Sequence, residues 1–145
     1  MDKNRILIRL SESDRTAFGK QDFVAQSYPQ KVFSSVWSLE SEVNNGGFAQ
    51  YFENESYETA PFIVEALDAI GALQTAAICR RATSIAFPDG MPADSEAIRM
   101  ATSEFSKDVF EALENCDNEF FQRPDSLTDL LFDYVASHEG DFGPV

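Results

Sequence analysis

The sequence predicts an all-α fold, a compact single-domain helical bundle with short connections. Three observations carry this prediction. Apolar residues recur three and four positions apart along most of the chain. Pro and Gly cut those stretches into helix-sized pieces at Pro29, Gly46-Gly47, Pro61, Gly71, Pro88, Pro92, Pro124 and Gly140. Alternating strand patterns are scarce. With 145 residues one domain is expected, and 43% hydrophobic content with 13 Phe is enough for a core. Residues 1–20 either pack on the bundle or form a loosely attached N-terminal segment, and the sequence does not decide between the two.

Taken in order, residues 5–10 read as a short strand or a helix start, and periodicity does not separate the two. Residues 31–43 carry Val32, Val36, Leu39 and Val43 on one helical face, which Trp37 extends. Residues 47–54 make a short second helix. Residues 59–70 form a helix with Thr59 as N-cap, Pro61 in the first turn and a stripe of Phe62, Ala66, Leu67 and Ile70. Gly71 breaks the chain before a helix over 72–87, in which Leu73, Ala76, Ala77, Arg80 and Ser84 share a line, with Ile78, Ile85 and Phe87 nearby. Residues 95–116 read as one helix, with Ile98, Ala101, Phe105, Val109, Ala112 and Cys116 in its stripe. The last helix spans about 125–138. Asp125 or Ser126 caps it, Asp129 completes a capping box, and Leu127, Leu130, Leu131, Tyr134 and His138 form its buried face.

The stretch EVNNGGFAQYFEN at residues 42–54 interrupts this pattern. Asn44, Asn45, Gly46 and Gly47 tolerate the left-handed conformation that turns a chain out of a helix. Phe48, Tyr51 and Phe52 then fall on one face of the next helix, and Gln50 and Asn54 on another. The segment is sufficient as a helix–helix corner pinned by rings, with amides placed to satisfy open helix ends. A phosphate loop would need a cation. Here Glu40, Glu42, Glu53 and Glu55 surround the glycines instead.

The core NNGGF-x-QYF-x-N of this stretch resembles the signature of the DNA-mimic-protein family, long classed as a domain of unknown function. Gly71-Ala72 leading to Phe87-Pro88, and residues 130–135 followed by Asp141-Phe142, are similar to that family too. The resemblance covers about residues 30–142. It implies an acidic, all-helical protein that occupies the DNA-binding surface of another protein.

The charges are consistent with such a role. The net charge is −14, and it is unevenly placed. Residues 1–50 hold six acids and six bases, whereas residues 51–145 hold 19 acids and five bases. The asymmetry argues against direct binding to nucleic acid or an anionic membrane, which both need cations, and favours a basic partner. Mimicry needs carboxylates spaced like phosphates. Acids at i, i+4 rise about 6 Å per step, against about 3.4 Å per phosphate along one DNA strand. Two rows qualify. Asp125, Asp129 and Asp133 form one. Glu104, Asp108 and Glu111, continued by Glu114, Asp117 and Glu119, form the other, interrupted only by Lys107. Caps explain Asp125 and Asp129, but not Asp133 or the acids near a helix C-terminus, which oppose the dipole.

An enzyme is not expected. His138, the only histidine, aligns with a buried face, and neither Cys79 nor Cys116 has a second Cys nearby in sequence. No CxxC, HExxH or P-loop is present. A polar cluster of Asn45, Gln50 and Tyr51 is the one catalytic alternative. No cofactor or metal is expected. Two thiols make no disulfide framework and fit a cytoplasmic protein, and the apolar N-terminal patch is too short for a signal peptide or membrane span. The expectation is a non-enzymatic protein that binds a basic, DNA-binding protein such as a transcription regulator. The alternative is an acidic inhibitor or immunity-type protein with a basic partner that does not bind DNA. A homodimer remains open.

Overall fold

The computed structural model describes residues 2–12, 22–55 and 58–143. The described residues are all-helical, with eight α-helices, two 3-10 turns and no strand. None of the helices is long and apolar enough to cross a membrane.

The N-terminal ambiguity resolves as a helix. Asp2 accepts the Arg5 N–H at 3.1 Å and starts α1, Lys3–Glu12. Leu7 and Leu10 are buried, and α1 lies on the seventh helix. The remainder of the 1–20 segment, from residue 13 on, lies outside the described residues.

The centre is α2, Tyr28–Glu55. Val32, Val36, Leu39 and Val43 are all buried, and Phe33 beside them stacks on Trp37 at 5.7 Å. The helix breaks where the sequence places the corner. Gly46 has φ −151° and ψ 15°, and Gly47 has φ 78° and ψ −177°. Of the two, Gly47 is the left-handed residue, so the demand for glycine conformation falls one position later than Gly46.

A 3-10 turn, Ala60–Phe62, leads into α3, Ile63–Ala69. Thr59 stands at the turn's N-cap without a capping bond, its hydroxyl lying 3.4 Å from the Tyr51 hydroxyl. Gly71, at φ 82°, closes α3 before α4, Leu73–Ala86. Here the expected face is corrected. Thr75, Ala76, Ile78, Cys79, Ala82 and Ala86 are buried, while Leu73, Ala77, Arg80 and Ser84 face solvent. The small Ala and Cys side chains let α4 lie close against α3 and the sixth helix.

The helix expected over 95–116 is two helices. Asp94 caps α5, Ser95–Ser103, by accepting the Ala97 N–H at 2.8 Å. Ser106 then accepts the Val109 N–H at 3.2 Å and starts α6, Lys107–Phe121. The hydroxyl at Ser106 supplies an N-cap that competes with continuation, so the chain turns at 104–106 although the apolar stripe runs on. The helix α6 buries Leu113, Cys116 and Phe120 against α2 and α4. It ends with Arg123 in the left-handed region at φ 53°, just before Pro124.

The final helices are α7, Leu127–Ala136, and α8, Glu139–Phe142. Leu127 and Leu131 are buried as expected, but Phe132 and Val135 complete the face, and Leu130, Tyr134 and His138 are only half-buried. His138 lies flat on the Tyr134 ring at 4.1 Å, and its Nδ1 is 2.6 Å from the Tyr134 carbonyl. The Phe142 ring closes onto Phe33 at 5.8 Å.

Candidate partner-binding surface

The corner holds the acid-bearing helix α6 in place. Phe48, Tyr51 and Phe52 are buried on one face as their spacing requires. Phe48 meets Phe120 edge to face at 6.0 Å, and Phe52 meets Phe87 at 5.3 Å. The amides act differently from expectation. Gln50 and Asn54 both donate to Glu42 Oε2, at 2.7 and 3.1 Å, and so clamp the two arms of the bent helix across the break. Asn44 and Asn45 are exposed.

Two of the nine candidate carboxylates are half-buried and accept from backbone N–H groups. Asp117 Oδ1 accepts the Phe48 N–H at 2.8 Å and caps the second arm of α2. A Cβ on Gly47 would come within 2.4 Å of Asp117 Oδ2, so the approach requires glycine on steric grounds as well. Burial raises the Asp117 pKa, the Phe48 hydrogen bond lowers it in part, and nearby Glu114 adds to the rise. Asp125 turns away from α7. Its Oδ2 accepts the Thr75 N–H at 2.7 Å and the Thr75 hydroxyl at 2.9 Å, so it caps α4. The cap position of α7 falls to Ser126, but Ser126 donates its hydroxyl to Asp129 and caps no backbone N–H.

Others are paired on the surface. Glu119 accepts from Arg81 on α4. Asp129 lies 3.2 Å from Lys3 on α1, and Ser126 and Lys3 together hold its pKa below the ordinary range. Glu111 reaches Lys107 at 3.8 Å, both well exposed, a contact worth little in water. Glu104, Asp108, Glu114 and Asp133 are exposed and form no ion pair among the described residues. Glu104 stands at the C-cap of α5 rather than on α6, so it does not continue the α6 row. The two expected rows also sit on separate elements. The α6 helix packs on α2 and α4, and α7 packs on α1 and α2. The contiguous exposed carboxylates are Asp108, Glu111 and Glu114 on α6, with no base between Lys107 and Arg123.

The polar cluster of Asn45, Gln50 and Tyr51 is divided between surface and core. Asn45 is exposed, Gln50 is bound to Glu42, and Tyr51 is buried beside Thr59. A cleft of about 150 Å³ lies elsewhere, between Glu40, Thr75, Phe120, Arg123, Asp125 and Thr128. Burial raises the Glu40 pKa there, and Arg123 offsets part of the rise. Cys79 and Cys116 are buried free thiols, both shifted upward by burial, and Arg81 beside Cys116 offsets part of its rise. Among the described residues no group of His, Cys, Asp and Glu is placed to hold a metal ion.

Sequence reasoning missed that Asp117 and Asp125 cap helices other than their own. It also missed Phe110 and Phe121, two large rings left exposed on α6. Their signal was present: both fall off the stripe of Leu113, Cys116 and Phe120.

The fold and its carboxylates define an acidic all-helical protein. A family model described as DMP19-like protein matches residues 25–138, and the chain belongs to that family, the DNA mimic protein 19-like family. No curated protein and no solved structure gives a match.

Proposed function

We propose that the chain is a non-enzymatic DNA mimic whose acidic α6 face occupies the DNA-binding surface of a basic protein, such as a transcription regulator, and blocks its access to DNA. The observation that carries this reading is the exposed run Asp108, Glu111 and Glu114, unrelieved by any base up to Arg123 except the weak contact from Lys107. Three-residue steps rise about 4.5 Å along a helix, on the scale of the roughly 3.4 Å rise per phosphate of one DNA strand. Family membership supports the reading. Asp133 is exposed on the separate α7, outside this run, while Asp117, Asp125, Glu119 and Asp129 support the fold that displays it.

The test is capture of a host protein at low salt followed by elution with duplex DNA. Release of a basic DNA-binding protein by DNA is the expected result. The triple variant Asp108→Lys, Glu111→Lys and Glu114→Lys should lose capture with its helical circular dichroism unchanged. Capture that survives the reversal overturns the assignment of this face. A basic partner that DNA does not displace would instead make the protein an acidic inhibitor.

A further inference from the structure

Phe110 and Phe121 are 48% and 47% exposed, and they lie eleven residues apart on α6. Eleven residues complete about three helical turns, so the rings share one stripe roughly 16 Å long. Glu114 lies between them on that stripe, and Glu111 is beside it. Each ring is braced on one edge, Phe110 by Phe105 at 5.8 Å and Phe121 by Phe120 at 6.2 Å. Rings already held in place lose little freedom on binding, which is the property of residues that anchor interfaces. A purely electrostatic mimic has no use for them.

Resting on the mimic reading above, we infer that this stripe of α6 docks an amphipathic basic segment of the partner, with apolar side chains seated on Phe110 and Phe121 and Lys or Arg on Glu111 and Glu114. Charge complementarity selects this occupant over a second copy of the chain. A two-fold pairing that set Phe110 of one copy against Phe121 of the other would bring the two Glu114 carboxylates together near the axis. Like charges opposed in that way repel. A basic segment meets the same carboxylates favourably and covers the same rings. Two aromatic anchors also give the complex a component that salt does not screen, unlike the carboxylates.

The experiment uses two synthetic helical peptides of equal positive charge, one with Leu and one with Ser on its uncharged face. Fluorescence anisotropy reads their binding to the full chain. The Leu peptide is expected to bind about tenfold tighter than the Ser peptide, a ratio equivalent to about 1.4 kcal/mol, and to keep that preference as salt rises. Phe110→Ser with Phe121→Ser should abolish the preference while leaving low-salt binding of the Ser peptide intact. Glu111→Gln with Glu114→Gln should weaken both peptides equally. Equal binding of the two peptides by the unaltered protein overturns the inference without recourse to any variant. A preference that survives the Phe substitutions overturns it too, as does a sedimentation change showing that the rings hold two copies together. Failure of DNA to displace the captured partner, with the peptide preference intact, would overturn mimicry and leave this surface standing.

Discussion

At the scale of single residues, the corner depends on a glycine and a carboxylate in contact. Gly47 has positive φ, and its missing Cβ makes room for Asp117. Gly47→Ala should therefore cost about 1–3 kcal/mol of stability, from strain at positive φ plus displacement of the cap, as read by urea unfolding. Gly46→Ala should cost less. Its φ is open to any residue, and the group in the way is the Gln50 side chain, whose amide end can swing aside although its Cβ at 2.9 Å and its bond to Glu42 add a cost of their own. A Gly46 substitution that costs more than the same change at Gly47 would contradict this placement. Asp117 also sets a pH dependence. Its folded pKa is raised above the ordinary 3.8, so the native state holds its proton longer than the unfolded chain does. Asp117 thus contributes a loss of stability as pH rises from 3.8 through the folded value, complete above it. Asp117→Asn keeps an oxygen for the Phe48 N–H but cannot ionise. The stability of this variant relative to the natural protein should increase across that interval, measured by unfolding at stepped pH. A relative stability that falls over the interval would rule out burial as the dominant cause.

At the scale of elements, α1 shows which kind of contact docks a helix. Leu7 is 1% exposed, whereas Lys3 and Asp129 retain 37% and 58% of their side-chain exposure. Leu7→Ala should cost about 2–5 kcal/mol, the range for emptying a filled core site. Lys3→Ala should cost much less, because an exposed pair is screened by water and salt. Asp129 has a lowered pKa, so whatever its pair contributes is present above 3.8 and is lost as pH falls through the folded value. High salt should erase the small Lys3 effect and leave the Leu7 effect unchanged in thermal unfolding. The same weighing applies to α4. Its buried Ala and Cys side chains were harder to recognise than the larger Leu73, because contact with neighbouring helices decides which side of a weakly amphipathic helix is covered.

At the scale of the whole molecule, the charge asymmetry read from composition becomes a surface only after the half-buried and paired carboxylates are removed from it. Partner capture should weaken steeply with salt, since each neutralised acid releases a counterion-dependent contact. The slope of log affinity against log salt should become shallower for the neutralising variant Asp108→Asn, Glu111→Gln and Glu114→Gln, and should stay unchanged for Asp133→Asn on the separate α7. An equal loss from Asp133→Asn would extend the surface to α7.

The sequence by itself determined the helical class, the corner at Gly46-Gly47 and the ring face of Phe48, Tyr51 and Phe52. These follow from local rules: a 3.6-residue period, the backbone freedom of glycine, and side-chain spacing on one helix. It also determined which segments carry the negative charge. Only the tertiary structure decided which of those charges are free. Asp117 and Asp125 meet backbone N–H groups 69 and 50 residues away, and Glu119 meets Arg81 across 38. No local pattern records such distances, because a carboxylate that caps a distant helix and one that faces water look alike along the chain. The division of 95–116 into α5 and α6 stands between the two cases. Ser106 announced its cap locally, but the unbroken apolar period concealed it until packing showed where each helix ends.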